Sequence, residues 1–324
     1  RHTRSRTTRH HVRRSNTRPA YNANRAATHA GTRHPMSVVK QHNAASPFLF
    51  LIPALAVLGI FWVLSLGQVV YFSLTRYSPF REPEFVGLEN YARLLSSERF
   101  WFCLLNTGLY LLVTPAIILI SLAAASIVHA SLRYAKGLRV LLFLPVVTPT
   151  IVAAIAWRVL YNEDAGLLNA AITALGFEPI GWLSTKPWTL ISAMLVTLWK
   201  GVGFYMMIFL AGLMSVPREL KEAAFLDGAS RLDVLRVVTL PAIWPIVSLV
   251  FVISSISALK VFDELYVTIR GAPIEHQTIV PLVFDTAFVR GDYGLACAIG
   301  ITLFAIILVF SIINLRLSSK GERA

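Results

Sequence analysis

Charge, cysteine and acid are all scarce in this sequence. Only 15% of its 324 residues are charged, 56% are hydrophobic, and the mean hydropathy is +0.63. Soluble domains carry about 25% charged residues, so this composition excludes the soluble class and marks a polytopic membrane protein. The two cysteines, Cys103 and Cys297, both lie in apolar runs. They exclude a disulfide framework and a cysteine metal motif, and read as packing residues. The sequence also lacks a GxxxxGKS/T phosphate loop, an HExxH pair, a GxSxG elbow and a GxGxxG after a strand. With no carrier for hydrolysis or intramembrane chemistry, the chain has no catalytic residue and no metal ligand set, and is not an enzyme by itself.

Acid is missing altogether from Arg1 to Ser46, which holds nine Arg and one Lys. The net charge of +13 is therefore +10 in this tail and +3 in the remainder. With almost no large apolar residue the tail cannot build a core, so residues 1–46 are expected to be disordered. His10, His11 and His34 lie in it without a partner constellation. Basic content alone is unspecific, and no nucleic-acid partner is expected. The basic stretch is too long for a secretory signal. The chain starts on Arg and its first methionine is Met36. Residues 1–35 are thus either an artefact of a mis-set start or a cytoplasmic tail touching anionic lipid.

What the sequence does have is long apolar runs. Six approach or exceed the roughly 20 residues needed to cross a bilayer: Phe48 to Leu74, Trp101 to His129, Val140 to Leu160, Trp188 to Met214, Ala242 to Thr268, and Gly294 to Leu315. They place a transmembrane domain at 47–316 and a short cytoplasmic C-terminal tail at 317–324. Lys and Arg outside the runs number ten in the tail, three in Ser131 to Arg139, four in Pro217 to Pro241 and three from Arg316 on, twenty in all. The alternate loops hold four, one and two, seven in all. This bias puts both termini and the 217–241 loop in the cytoplasm.

That loop is a polar island with its own pattern. Pro217 suits a first helical turn, Leu220, Ala223 and Ala224 recur at helical spacing, and Gly228 stops the helix after Asp227. Ser230 and Asp233 resemble a capping box, so a second helix is expected from Arg231 until Pro241 ends it. The adjacent alanines suit docking of this helix in a partner's groove, with Leu220 and Leu226 as larger contacts. An amphipathic helix lying on headgroups, with Arg218, Lys221, Arg231 and Arg236 facing lipid, is the equally weighted alternative.

Within the third run, Pro145 and Pro149 predict a kink, whether a pivot or a packing feature. In the fourth, Ala193, Thr197 and Gly201 form a small face for close packing. Lys200 lies near the middle of that run, where a charge costs about 3 kcal/mol. It either lines a translocation path or pairs with a neighbouring helix. Lys260, Asp263 and Glu264 share one face by spacing, so a local structural role as self-neutralising pairs is favoured.

Three groups of residues carry a resemblance. Glu222-Ala223-Ala224, Gly228 and Val238-Thr239-Leu240-Pro241 resemble the EAA loop of permeases in binding-protein-dependent ABC importers, with Val238 in place of Ile. Phe85-Val86-Gly87-Leu88-Glu89-Asn90-Tyr91 followed by Asn106-Thr107 is similar to the maltose-type, MalF-like first permeases of carbohydrate importers. So are Trp199 to Phe204, Leu210 to Leu213, Ala258 to Asp263 and Asp292 to Ala296. The likeness runs from Phe48 to about Leu315 and departs at Thr268 to Pro273, where a usual Gly pair is reduced to Gly271.

The resemblance implies an all-α, six-helix membrane protein of the MetI-like ABC importer permease fold. It implies ATPase coupling through Glu222, Ala223, Ala224, Asp227, Gly228, Leu240 and Pro241, and makes Asn106, Lys200 and Phe204 candidates for the substrate path. The implied partners are a second homologous permease, two ATP-binding cassette ATPases and an extracytoplasmic sugar-binding protein, with the lipid bilayer around the chain. No cofactor is expected on this chain, ATP and Mg being held by the ATPase. A sugar or polyol is the implied cargo, in the cytoplasmic membrane. A permease for glycerol phosphate, an ion-coupled secondary transporter and a non-transporting scaffold are the alternatives; absence of a copurifying ATPase would favour the secondary transporter, and a reconstituted assembly without ligand-stimulated ATPase activity the scaffold.

Overall fold

The computed structural model describes residues 46–79, 81–130 and 135–321. The tail expected to be disordered lies outside the described residues except for Ser46, as do residues 322–324 of the expected C-terminal tail. Contacts divide the chain into two units, 1–57 and 58–324. In the first, a helix opens at Ser46 with Pro53 inside it, and Leu51, Ile52 and Leu55 are exposed.

Four helices are long and apolar enough to cross a membrane: Leu51–Ser73, Glu98–Ala130, Trp188–Ser215 and Tyr293–Arg316. Each matches an expected run to within about three residues, and the last helix continues to Gly321. The other two expected spans are bent pairs, Ala135–Val147 with Thr150–Leu160 at 95°, and Arg231–Ala242 with Trp244–Leu259 at 67°.

The first bend exceeds a kink, and its cause is local. Pro149 has no N–H to donate and biases Thr148 away from the helical region, so the chain restarts at Pro149 (ψ 133°) as the N-cap of the next helix. Pro145, by contrast, stays inside its helix. In the second pair the helix from Arg231 passes through Pro241 and ends one residue later at Ala242. Pro241 has no N–H to carry the helix on, and the helix stops there, whereas Pro245 sits in the first turn of the next helix, Trp244–Leu259, where a missing N–H has no partner to lose.

The largest core joins the second, fourth and fifth spans through residues such as Tyr110, Ile117, Ala193, Phe209 and Val250. The small face works as expected: the Tyr110 hydroxyl donates to the Ala193 carbonyl at 3.1 Å and lies 2.7 Å from Thr197 Oγ1, and Ile117 packs beside Gly201. On the next turn Ser121 donates to the Val202 carbonyl. Cys103 is buried in a second cluster with Phe100, Ile279 and Ile299, and Cys297 is half-buried.

A two-stranded antiparallel hairpin, Thr75–Ser78 with Arg81–Phe85, follows the first span. Phe85 to Tyr91 then turns into the helix Glu89–Leu95, as expected. Asn90 is buried there and donates to the carbonyls of Ser73 (2.9 Å) and Thr75 (2.8 Å), while the Tyr91 hydroxyl meets Ser73 Oγ at 2.8 Å. This half of the motif is a latch between the end of the first span and the loop beyond it. Asn90→Ala strands both carbonyls, and about 1–2 kcal/mol should be lost. A fall in the thermal midpoint of the purified chain in detergent measures this. An unchanged midpoint would remove the latch.

Two ion pairs of distant residues join the same region: Arg93 with Asp292 (2.7 Å) and Arg99 with Glu275 (2.9 Å). The backbone hydrogen bond within Glu275, reinforced by Arg99, holds its carboxyl below the usual range.

Candidate functional site

The polar island folds as helix, bend, helix. Arg218–Leu226 is the first helix, with Pro217 as its N-cap residue. Its end is a Schellman arrangement: Ala229 N–H donates to the Ala224 carbonyl and Gly228 N–H to the Phe225 carbonyl, at 3.0 and 3.1 Å. Gly228 carries the left-handed residue this requires, with φ 85°. The capping box forms, with Asp233 N–H donating to Ser230 Oγ at 3.3 Å and Ser230 N–H to Asp233 Oδ2 at 3.0 Å. A π-helical turn at Val234–Thr239 follows, which no residue of the island signals in advance.

The first helix leaves its apolar side uncovered by the other described residues. Leu220 is 52% exposed and Leu226 89%, and Glu222, Ala223 and Asp227 are also exposed. Both connections from the island, however, run into the main core: Val216 before it and Ile243 after it are buried there, with Leu240 packed against them. Pro241 is exposed beside Leu240. A force on this helix is therefore delivered to packed side chains rather than lost in a slack loop.

A second feature lies among the spans. Lys200 and Phe204 line a cavity of about 530 Å³ with Thr197, Lys260, Asp263 and Glu264. The Lys200 ammonium donates to Thr150 Oγ1, at the start of the helix that follows the 95° bend. The self-neutralising face expected of Lys260, Asp263 and Glu264 does not form. The helix Trp244–Leu259 stops at Lys260 (φ −110°, ψ 19°), a separate short helix runs over Asp263–Thr268, and among the described residues no ion pair joins the three. Spacing rules assume an unbroken helix, and no Pro or Gly marks this break. The cavity thus gains two acids and a lysine for which the sequence suggested only a local role.

Asn106 is turned elsewhere. Its amide donates to the carbonyls of Glu275 and Gln277, both at 2.9 Å, and Thr107 Oγ1 accepts from Ile279 N–H at 3.0 Å. The Asn-Thr pair holds the loop after Pro273 onto the second span. Just before that loop the single glycine that remains, Gly271, has φ 96° and takes the left-handed turn position. The sequence reading also missed Asn169, whose amide donates to the carbonyls of Glu163 and Ile180 and whose Oδ1 accepts from Ile180 N–H and Trp182 Nε1. Asn169 lies on the short helix Leu167–Ala174 between spans, and an isolated asparagine there carries no advance sign of such a role.

Comparison with known proteins bears on the chain as a whole. The chain is 33% identical over 282 residues to the trehalose/maltose transport system permease protein MalF of Thermococcus litoralis, covering 86% of this chain and 96% of that one. It is 33% identical over 308 residues to the arabinooligosaccharides transport system permease protein AraP of Bacillus subtilis, covering 90% and 98%. Its fold is shared with a chain of a bacterial ABC transporter involved in the import of the acidic polysaccharide alginate, at a TM-score of 0.72 and 21% identity over 85% of this chain and 95% of that one. The fold is thus all-α, that of a MetI-like ABC importer permease. Residues 116–320, which include the island and both bent pairs, match the family described as binding-protein-dependent transport system inner membrane component, and the chain belongs to that family.

Proposed function

We propose that this chain is the first, MalF-like permease subunit of an ATP-driven importer of a sugar or related polyol. One observation carries the reading: the helix Arg218–Leu226 offers an uncovered apolar face while both of its connections are anchored in the core of the spans. A helix so placed can take up motion from a separate protein and pass it to the membrane domain.

The charge bias places this helix and both termini in the cytoplasm. There it meets one of two ATP-binding cassette subunits, which hold ATP and Mg and supply the hydrolysis this chain has no residues for. A second homologous permease completes the membrane pair, and an extracytoplasmic binding protein delivers the cargo. Sugar as the cargo class is supported by the names of the similar permeases, for trehalose/maltose and for arabinooligosaccharides. The path is assigned to the cavity with Lys200 and Phe204, whose neighbouring lysine and acids suit hydrogen bonding to hydroxyl groups. Asn106 serves that path indirectly, by holding the loop at Glu275 and Gln277.

Closure of the ATPases would move the docked helix and bias the pair toward its outward-facing packing. The test is copurification of the chain from its native membrane, followed by reconstitution with its binding protein. A nucleotide-hydrolysing subunit is expected in the complex, with hydrolysis stimulated by the loaded binding protein. Purification without any ATPase, or hydrolysis indifferent to the binding protein, would sink the reading.

A further inference from the structure

We propose that the cleft between the helix Arg218–Leu226 and the adjoining ends of the spans binds the phosphate of an anionic phospholipid headgroup. The cleft has a volume of about 470 Å³ and is lined by His129, Lys136, Arg139, Arg218 and Lys221, with no carboxylate among its lining residues. None of these five takes part in an ion pair among the described residues. The Nε of Arg139 is buried and has no hydrogen-bond partner among the described residues. Four cations, Lys136, Arg139, Arg218 and Lys221, drawn from two separate stretches of chain, repel one another unless an anion lies between them. A guanidinium with an unused N–H is the group that binds phosphate oxygens best.

Position selects lipid among the anions. His129 is the last residue but one of the second span and Met214 of the fourth, and Ala135 opens the next apolar helix, so the cleft lies where spans leave the membrane. Val128, Leu213 and Met214 add an apolar wall to the basic one. A headgroup phosphate with its glycerol and upper acyl chain fits both walls, whereas free phosphate uses only the cations. Arg218 and Lys221 belong to the proposed docking helix and His129 and Arg139 to the membrane elements, so a bound headgroup ties the two together. Only this effect on coupling rests on the proposed function; the binding rests on the cleft.

Native mass spectrometry of the full-length chain in uncharged detergent tests it, with dioleoylphosphatidylglycerol, dioleoylphosphatidylcholine and inorganic phosphate as probes. One saturable phosphatidylglycerol adduct is expected, at least tenfold tighter than phosphatidylcholine. At about 1 kcal/mol per cation, the double variant Arg139→Gln/Lys221→Gln should weaken it roughly thirtyfold. Lys136→Gln, at an exposed position, should weaken it severalfold if the double variant fails to fold, and Arg236→Gln, outside the cleft, should leave it unchanged. Equal binding of the two lipids, or a Lys136→Gln chain that binds like the parent, overturns the proposal. Phosphate binding without a lipid adduct overturns it in favour of a soluble anion. Loss of the adduct when the ATPase assembles overturns it in favour of acidic side chains on that partner. A chain that binds phosphatidylglycerol but copurifies with no ATPase leaves the headgroup site standing and removes the coupling role of the helix.

Discussion

Replacing Gly203 by alanine should cost the fold about 3 kcal/mol, the upper end of overpacking penalties. A Cβ built on Gly203 runs into the carbonyl of Leu142 and meets Val146 Cγ2 at 3.0 Å. The carbonyl belongs to the backbone of the helix Ala135–Val147, so no rotamer change removes it. The fourth span has little room to retreat, because Ser121 of the second span holds the neighbouring Val202 carbonyl at 3.1 Å. Lys200, three residues before Gly203, bonds to Thr150 just beyond the 95° bend, so displacement should also disturb the cavity. The readout is the thermal midpoint and the monodisperse fraction of the purified chain. Gly201→Ala, whose new methyl meets Ile117 Cδ1 at 3.4 Å and the Tyr205 ring at 3.5 Å, ordinary contacts with side chains, and Gly108→Ala, which meets nothing within 4 Å, are the controls. A Gly203→Ala chain as stable as Gly108→Ala would show that the two helices do not approach so closely.

Much of this architecture can be read from the residues, and the exceptions have physical reasons. Long apolar runs located four spans to within a turn, because the membrane sets their length. The island was equally plain, since Pro217, Gly228, Ser230 and Asp233 act on neighbours within three residues. Pro145 and Pro149 signalled a disturbance but not its size, which depends on Pro149 restarting a helix while Pro145 stays inside one. The break at Lys260 left no local mark at all. It separates residues whose spacing suits ion pairs and turns them toward a cavity shared with Lys200. The basic cleft was hidden for a different reason. His129, Lys136, Arg139, Arg218 and Lys221 come from distant parts of the chain, and only tertiary packing brings them together. Asn90 and Asn106, noted through resemblance alone, proved to serve neighbouring backbone carbonyls.

Ala223→Trp should reduce uptake at least a hundredfold while the chain reaches the membrane in normal amount. Ala223 is exposed, so the indole displaces nothing within this chain. The helix keeps its Schellman end at Gly228 and loses only a few tenths of a kcal/mol in propensity. What changes is the proposed docking face, where one of the two adjacent alanines gives way to a bulky ring between Leu220 and Leu226. A hundredfold loss corresponds to about 2.7 kcal/mol, within the range of a single blocked contact at the centre of an interface. Gly228→Asp approaches the same end from the backbone. At φ 85° a side chain with a Cβ costs about 1–2 kcal/mol, which should swing or fray the helix end and uncouple hydrolysis from transport. The diagnostic pattern for both variants is ATP hydrolysis that persists without uptake, or a complex from which the ATPase is lost. Normal uptake by both variants at normal abundance would mean that this helix lies on the headgroups and that the moving contact is elsewhere.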